Sequence, residues 1–283
     1  MSEALGPVAD LEQLAPGAEL AALLSTVDRS GLDPAQRVEV ACARARLVAH
    51  LQAELLADLA AVAADAPDPQ FAADELSFAL HWTRFAAQSQ VAFAQELTGR
   101  LPAAHAALLA GQIDLPRARV IAELTGPLEE ETARLVVEKV LSAAPGLTTG
   151  QLRAKLRRLV ISVDPVAAQK RQEQALRQRR LQCYPDPDGT ATLLGTGLPA
   201  ERTRAAANRI DQLARAAKQA GDARTMDQLR ADTMLDLLDG TNAGQSVDAR
   251  VEVTVPLQTL MQLADEPGEL GGYGPLVADV ARQ

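Results

Sequence analysis

Alanine and leucine together fill 97 of the 283 positions of this chain, whereas only seven residues are aromatic. Alanine and leucine have high helix propensity, so this composition favours helices that pack through small and unbranched side chains. An all-β fold would need many more β-branched and aromatic residues. The hydrophobic share of 47% and the charged share of 23% are typical of a folded globular chain. The sequence therefore predicts a mainly α protein.

Glycine, proline and capping residues divide the first 180 residues into helices. Asp33 followed by Pro34 predicts the start of a long helix, because aspartate is a good N-cap and proline suits the first helical turn. Apolar residues recur along this helix at the spacing of one face. The predicted buried face consists of Val48, Leu51, Leu55, Leu59 and Val62.

The pattern changes after residue 180. The segments Leu181–Tyr184 and Thr190–Thr196 flank a Pro-Asp-Pro-Asp-Gly turn, which predicts a β-hairpin. Two helices are predicted over about 200–220 and 225–238, and Val247–Val255 alternates between apolar and polar residues as a half-buried strand does. The predicted fold class is therefore a multi-helix N-terminal region followed by a small α+β unit with a three-stranded antiparallel sheet.

These patterns suggest four parts of the chain. Residues 1–32 form an N-terminal extension, and residues 33–180 form the helical region, which is basic at 151–180. Residues 181–265 form the small α+β unit, and residues 266–283 form a glycine-rich C-terminal tail.

Charge is distributed unevenly along the chain, whose net charge is −9. Residues 151–180 hold nine basic and two acidic side chains, whereas residues 1–80 hold four basic and thirteen acidic ones. A cluster of cations could neutralise several phosphates of DNA. The same side chains could instead lie along the edge of the core or pair with the acidic N-terminal region. The candidate DNA-binding residues are Arg153, Lys155, Arg157, Arg158, Lys170, Arg171, Arg177, Arg179 and Arg180.

No catalytic or metal-binding pattern is present in the sequence. The three histidines, His50, His81 and His105, have no partner at helical spacing, and the two cysteines, Cys42 and Cys183, lie far apart. We therefore expect no enzymatic activity, no metal and no cofactor. The first residues lack the pattern of a secretory signal, and no stretch without acidic or basic residues exceeds thirteen residues. A cytoplasmic protein that does not bind membranes is expected.

A helix-turn-helix reading of the residues around Thr83 is the second DNA-binding candidate. It places Leu76, Leu80, Ala86 and Val91 in the core of a two-helix corner and turns Arg84, Gln88 and Gln90 toward a groove. The alternative is an ordinary packed corner, since the second helix carries one arginine and no lysine.

Three other features favour structural roles. Asp232, Asp236 and Asp239 share one helical face, where ion pairs or solvation are expected rather than a metal. Cys42 is predicted to lie in the core of the long helix, and His81–Trp82 is predicted to form a packed turn.

Six blocks of sequence resemble a known family. In chain order they read ADELSFAL, LPAAHAALLAGQIDLPRARVIAELTGPL, GLTTGQLRAKLRRLVISVDPVAA, GDARTMDQLRADTMLDLLDG, VEVTVPLQTL and DEPGELGGYGPL. Together they resemble the domain of unknown function that precedes the nuclease in actinobacterial HNH endonuclease-signature proteins, a mobile, repeat-type family known from mycobacteria. The resemblance covers roughly residues 35–280.

This resemblance implies a role beside a nuclease. In the family a Cys- and His-rich HNH module follows the Gly-Tyr-Gly-Pro stretch, whereas eight residues follow it here. The expectation is a non-catalytic accessory domain that engages DNA through the basic helical segment and is truncated before the nuclease. The alternatives are an interaction or oligomerisation module that partners a separately encoded HNH nuclease or a second copy, and a degenerate mobile-element remnant.

Overall fold

A computed structural model describes residues 11–66, 69–240 and 252–282 of the chain. The chain divides into two compact units, residues 1–168 and 169–283, and each is described by itself. This division into compact units does not test the domain boundaries suggested by the sequence, which stay predictions.

The first unit consists of helices joined by short turns. The predicted start of the long helix is confirmed: the Asp33 side chain accepts a hydrogen bond from the Gln36 backbone N–H at 2.8 Å, and Pro34 is the first helical residue. The helices are α1 (Ala18–Thr26), α2 (Pro34–Asp65), α3 (Pro69–Ala79), α4 (Arg84–Gln95) with a π-helical turn (Glu96–Arg100), α5 (Pro102–Leu109), α6 (Leu115–Thr125), α7 (Glu130–Leu141) with a 3-10 turn (Ala144–Gly146), α8 (Thr149–Val163) and α9 (Pro165–Arg177), which continues into the second unit.

The buried face of helix α2 consists of four alanines together with Val40, Leu56 and Leu59. Of the predicted buried face only Leu59 is buried, and the prediction is wrong for the others, Val48, Leu51, Leu55 and Val62, which are exposed. Small side chains allow neighbouring helix backbones to approach closely and fill the space between them completely. The buried residues of α2 are Val40, Ala43, Ala49, Ala53, Leu56, Leu59 and Ala63.

Histidine side chains connect α2 to α5 by hydrogen bonds to backbone carbonyls. Nε2 of His105 lies 2.9 Å from the carbonyl oxygen of Ala53, and Nδ1 of His50 lies 2.7 Å from that of Leu109. The turn after α5 approaches α2 so closely that a Cβ on Gly111 would lie 2.9 Å from Cβ of Arg46. Glycine is required there also because its φ is +66°.

The centre of the first unit is an apolar cluster contributed by α2 and α4 to α8. Its largest fully buried side chains are Leu97, Leu101, Leu108, Ile121, Val136, Val137, Val140, Leu152 and Leu156. A smaller cluster joins α1 to the start of α2 through Leu20, Leu24 and Val40. The core of this unit therefore consists of one large cluster and smaller, separate ones.

The second unit combines helices with two small sheets. Strands β1 (Arg180–Pro185) and β2 (Ala191–Thr196) form the predicted hairpin, which is followed by α10 (Ala200–Gln219) and α11 (Met226–Leu238). A three-stranded antiparallel sheet has the order β3-β4-β5 and lies near the C-terminus. Its strands and helices are β3 (Val253–Thr254), α12 (Leu257–Leu260), β4 (Gly268–Leu270), β5 (Gly274–Leu276) and α13 (Ala278–Ala281).

The predicted fold class is confirmed: the chain is mainly helical, with a three-stranded antiparallel sheet. The strands of that sheet are not the ones that the sequence predicts, because the hairpin forms a separate two-stranded sheet. Of the predicted strand Val247–Val255, residues 247–251 lie outside the described residues, and Val253–Thr254 pairs with β4. The glycine-rich segment after residue 266 supplies β4 and β5.

Helix α2 is the one described helix that is long and apolar enough to cross a membrane. Core helices of water-soluble proteins pass the same test of length and composition. A single helix of this kind is therefore weak evidence for a membrane span.

Adjacent leucines on α2 test which of its faces is buried. Leu56 is 3% exposed and Leu55 is 44% exposed. We expect Leu56→Ala to lower the free energy of unfolding by about 2–5 kcal/mol, because the truncation leaves a cavity. Leu55→Ala is the matched control, and its effect should stay below about 1 kcal/mol. Urea unfolding followed by circular dichroism measures both, and an equal or larger loss in Leu55→Ala would contradict the assignment.

Candidate functional site

The nine basic residues of segment 151–180 are divided between the two units. Four of them lie on α8 in the first unit, and the other five lie on α9 and at the hairpin in the second unit. The two groups are therefore considered separately.

On α8, one predicted DNA-binding residue is engaged within the protein. Leu152 and Leu156 are buried and fix the face of α8 that packs on the core. Beside them Arg153 donates two hydrogen bonds to the Glu123 carboxylate of α6, at 2.6 and 2.8 Å. A bidentate arginine–carboxylate pair is the strongest geometry for such an interaction. Arg153 therefore connects α6 and α8.

The other basic residues of α8 hold no ion pair among the described residues. Arg157 and Arg158 are exposed, and Lys155 is half-buried. Arg157 also attracts the Glu123 carboxylate, and both arginines together lower the pKa of Glu123, mainly through the hydrogen bonds from Arg153. The first unit thus presents Arg157 and Arg158 as its exposed cations on this helix.

The five candidate residues in the second unit form no ion pair within the described ranges. Lys170 and Arg177 are exposed on α9, where Arg171 is half-buried. Arg179 donates a hydrogen bond to the carbonyl oxygen of Leu176 at 2.6 Å, and Arg180 lies in the first pair of the hairpin. Segment 169–180 therefore carries uncompensated positive charge.

Arginines further along the second unit behave differently. Arg224 bonds the carboxylates of Asp222 and Asp232 at 2.7 and 2.5 Å, and it lowers the pKa of Asp222 to about 2. Arg230 bonds Asp211, and Arg215 bonds the same carboxylate. These pairs connect α10, α11 and the turn between them, so their charge is compensated internally.

The helix-turn-helix candidate is a packed corner. Arg84 pairs with Asp74 at 2.9 Å, and Gln90 accepts a hydrogen bond from Arg119 at 3.1 Å. Of the predicted core Val91 is buried and Leu76 and Ala86 are half-buried, whereas Leu80 is exposed because the helix ends at Ala79. Two of the three side chains expected to read a groove are thus engaged within the chain.

The remaining candidates take structural roles or none. Asp232 bonds Arg224 and neither Asp236 nor Asp239 is free, and no group of three potential metal ligands occurs in the described ranges. Cys42 is exposed, so its predicted core position is wrong, because the buried face of α2 passes through Ala43 instead. The turn at His81–Trp82 is confirmed, with Trp82 half-buried.

A family model described as "Domain of unknown function (DUF222)" matches residues 34–283. The chain belongs to the DUF222 family. The match covers α2 and every later element of both units, so the predicted resemblance is confirmed as far as the domain of unknown function. Comparisons of this DUF222 chain with curated proteins and with solved structures gave no match.

Sequence reasoning missed two features of the site. It did not foresee that Glu123 holds Arg153, because thirty residues separate them and no local pattern connects them. It also ended the basic segment at residue 180, whereas Arg179 and Arg202 line the same groove in the second unit. Both features depend on contacts between residues that lie far apart in the sequence.

The pKa of Glu123 tests the pairing with Arg153. In Arg153→Gln we expect this pKa to rise toward the ordinary carboxyl value, whereas Arg158→Gln, which removes the same charge nearby, should leave it almost unchanged. Because pairing lowers the folded-state pKa, the pair stabilises the fold above the ordinary carboxyl pKa, and this contribution is lost as the pH falls through the lowered value. Carboxyl-carbon NMR titration measures the pKa, and an unchanged value in Arg153→Gln would contradict the pairing.

Proposed function

We propose that this DUF222 chain is a non-catalytic accessory domain that engages DNA through the phosphate backbone, by way of its basic segment 151–180. One observation carries the proposal: within the described ranges, eight of the nine basic residues of this segment hold no ion pair, although the chain as a whole is acidic. Exposed guanidinium groups are well suited to phosphate because their planar donors match its oxygens.

Charge also limits the strength of such binding. The net charge of −9 opposes long-range attraction of DNA, so contact depends on the local cations. Affinity should therefore be weak and steeply dependent on salt, because each phosphate contact releases condensed counterions.

The proposed association with an HNH endonuclease rests on the resemblance of the sequence blocks. That resemblance supports the proposal that the domain brings a nuclease to DNA. The nuclease would lie on the same polypeptide or on another one. The cytoplasm is the compartment in which such a domain would meet DNA, and it is the proposed location.

Four exposed cations test the DNA-binding proposal. If four to six phosphates are contacted, the logarithm of the association constant should fall with the logarithm of salt concentration at a slope of about −4 to −5. The variant Arg157→Gln, Arg158→Gln, Lys170→Gln, Arg177→Gln should lose most of the binding, with a slope shallower by up to about 3.6. Arg153 is retained because Glu123 holds it. Fluorescence anisotropy with a labelled duplex at several salt concentrations measures both quantities.

A second quadruple variant is the matched control for charge. Arg29, Arg37, Lys139 and Arg215 are also exposed but lie outside the basic segment, and their replacement by glutamine removes the same charge. The proposal requires this control to keep the slope of the parent protein. A parent that does not bind DNA, or equal losses in the two variants, would refute it.

The proposal also expects no cleavage of DNA by this chain. His50 and His105 contact backbone carbonyls in the helix packing, so their imidazoles have structural roles. Plasmid DNA incubated with the purified protein and Mg²⁺, Mn²⁺ or Zn²⁺ should remain supercoiled. Nicking that disappears when His81, the third histidine, is replaced by alanine would show the opposite.

A second candidate function, self-association, is favoured by two exposed phenylalanines. Phe78 at the end of α3 and Phe85 at the start of α4 are 85% and 79% exposed. Such high exposure of two large apolar side chains, on consecutive helices, is the observation that favours an interaction surface. A second copy of the chain is the partner that this candidate implies.

Light scattering coupled to gel filtration tests self-association. If the phenylalanines form the interface, the parent protein should have at least twice the monomer mass, and Phe78→Ser with Phe85→Ser should reduce it to the monomer. Leu135→Ser is the control, because Leu135 is 51% exposed on α7, away from this corner. A monomeric parent protein would remove the candidate.

A further inference from the structure

A groove in the second unit brings together arginines that are distant in sequence. Its volume is about 500 Å³, and its lining includes Arg179, Leu198, Arg202, Thr203 and Ala206. Arg179 and Arg202 are both exposed, and neither holds an ion pair within the described part of the chain. The groove therefore has two cationic side chains and a lining of small and apolar residues.

The hairpin builds this groove by returning the chain to the end of α9. Arg180 pairs with Thr196 across the two strands, and Gly197 follows with φ of +67°. A Cβ on Gly197 would lie 2.7 Å from the carbonyl oxygen of Ala175 and 3.1 Å from Cα of Arg179. Only glycine allows this approach, which places the start of α10 beside Arg179.

Helix α10 extends the cationic surface beyond the groove. Residues seven apart lie on the same face of a helix, so Arg202 and Arg209 point the same way, roughly 10.5 Å apart along the axis. Arg209 lies at the edge of a second cleft, of about 460 Å³, between α10 and α11, whose lining also includes Arg224, Asp232 and Asp236. Ala206 lies between the two arginines, and its small side chain projects little from the helix.

Arg179, Arg202 and Arg209 differ from other arginines of the second unit in their ion pairing. In the described part of the second unit, Arg215, Arg224, Arg230 and Arg282 all hold ion pairs with aspartates. The described arginines at positions 171–209 hold none. Among the described arginines of the unit, those without an ion pair thus fall in one stretch of sequence, from α9 into α10.

We propose that Arg179, Arg202 and Arg209 form a track that binds the phosphodiester backbone of duplex DNA. The proposal rests on the proposed function and adds α10 to the surface that performs it. Arg202 and Arg209 are exposed on one face of α10, roughly 10.5 Å apart along its axis, so each guanidinium group is available to a phosphate of the duplex. Arg179 extends the same contact across the groove.

The test is the double variant Arg202→Gln, Arg209→Gln in the full chain. Loss of two phosphate contacts should make the salt slope for a labelled duplex shallower by about 1.8. The matched control is Arg204→Gln with Arg215→Gln, which removes two charges from the opposite face of α10. Arg204 is exposed, and Asp211 keeps its bonds to Arg230 in this control, so its slope should equal that of the parent protein. Circular dichroism confirms that both variants are folded.

The outcomes separate this inference from the proposed function. If the parent protein binds no duplex, both fail. If it binds and the basic-segment variant loses binding, while Arg202→Gln with Arg209→Gln keeps the parent slope, only the track is refuted. If the double variant loses binding to phosphatidylserine vesicles but binds the duplex as the parent protein does, the track is also refuted, in favour of a lipid surface. Equal losses of duplex binding in the double variant and in its control would also refute the track, because binding would then depend on total charge alone.

Discussion

Close packing of alanine-lined helices around α2 is the constraint on which the first unit depends. Ala49 and Ala53 of α2 are buried in the same cluster as Ala94 of α4 and Ala104 of α5. The alanines let the helices approach closely, and leucines of the same cluster, such as Leu56 and Leu97, fill the space around these contacts. Of the leucines of α2, Leu56 and Leu59 are buried in this interface, whereas Leu51 and Leu55 remain outside it.

Arginines perform two different tasks in this framework. Some of them satisfy the ends of helices from inside the fold: Arg100 donates to the carbonyl oxygens of Thr125 and Leu128, and Arg117 donates to that of Leu147. These side chains replace caps that the backbone itself does not provide. The described arginines from Arg157 to Arg209 hold no ion pair, and Arg179 donates only to the carbonyl oxygen of Leu176. The difference between the two classes supports a role in binding anions for the second class.

The sequence predicted the elements better than their faces. The cap at Asp33–Pro34 and the turn between β1 and β2 depend on neighbouring residues and were therefore foreseen. The buried face of α2 was not, because hydrophobicity alone favours Leu55 over Ala53, whereas the choice is made by how closely α4 and α5 approach. The separation of the hairpin from the three-stranded sheet likewise depends on pairing between distant strands.

Of the candidate site, the sequence predicted the cations but not their partners. Composition located the basic segment, yet it could not show that Glu123 holds Arg153 or that Gly197 brings α10 beside Arg179. Both depend on contacts that only the folded chain makes. These two contacts determine which of the arginines remain available to a ligand.

Arginine-directed modification by phenylglyoxal, read by mass spectrometry with and without a duplex, tests the central claim most directly. The claim is that the unpaired arginines of segment 157–180, together with Arg202 and Arg209, contact phosphates. DNA should therefore slow the modification of these arginines, while Arg37, Arg84 and Arg204 react at the same rate as in its absence. Protection of Arg84 alone, or equal rates at every arginine with DNA bound, would contradict the account.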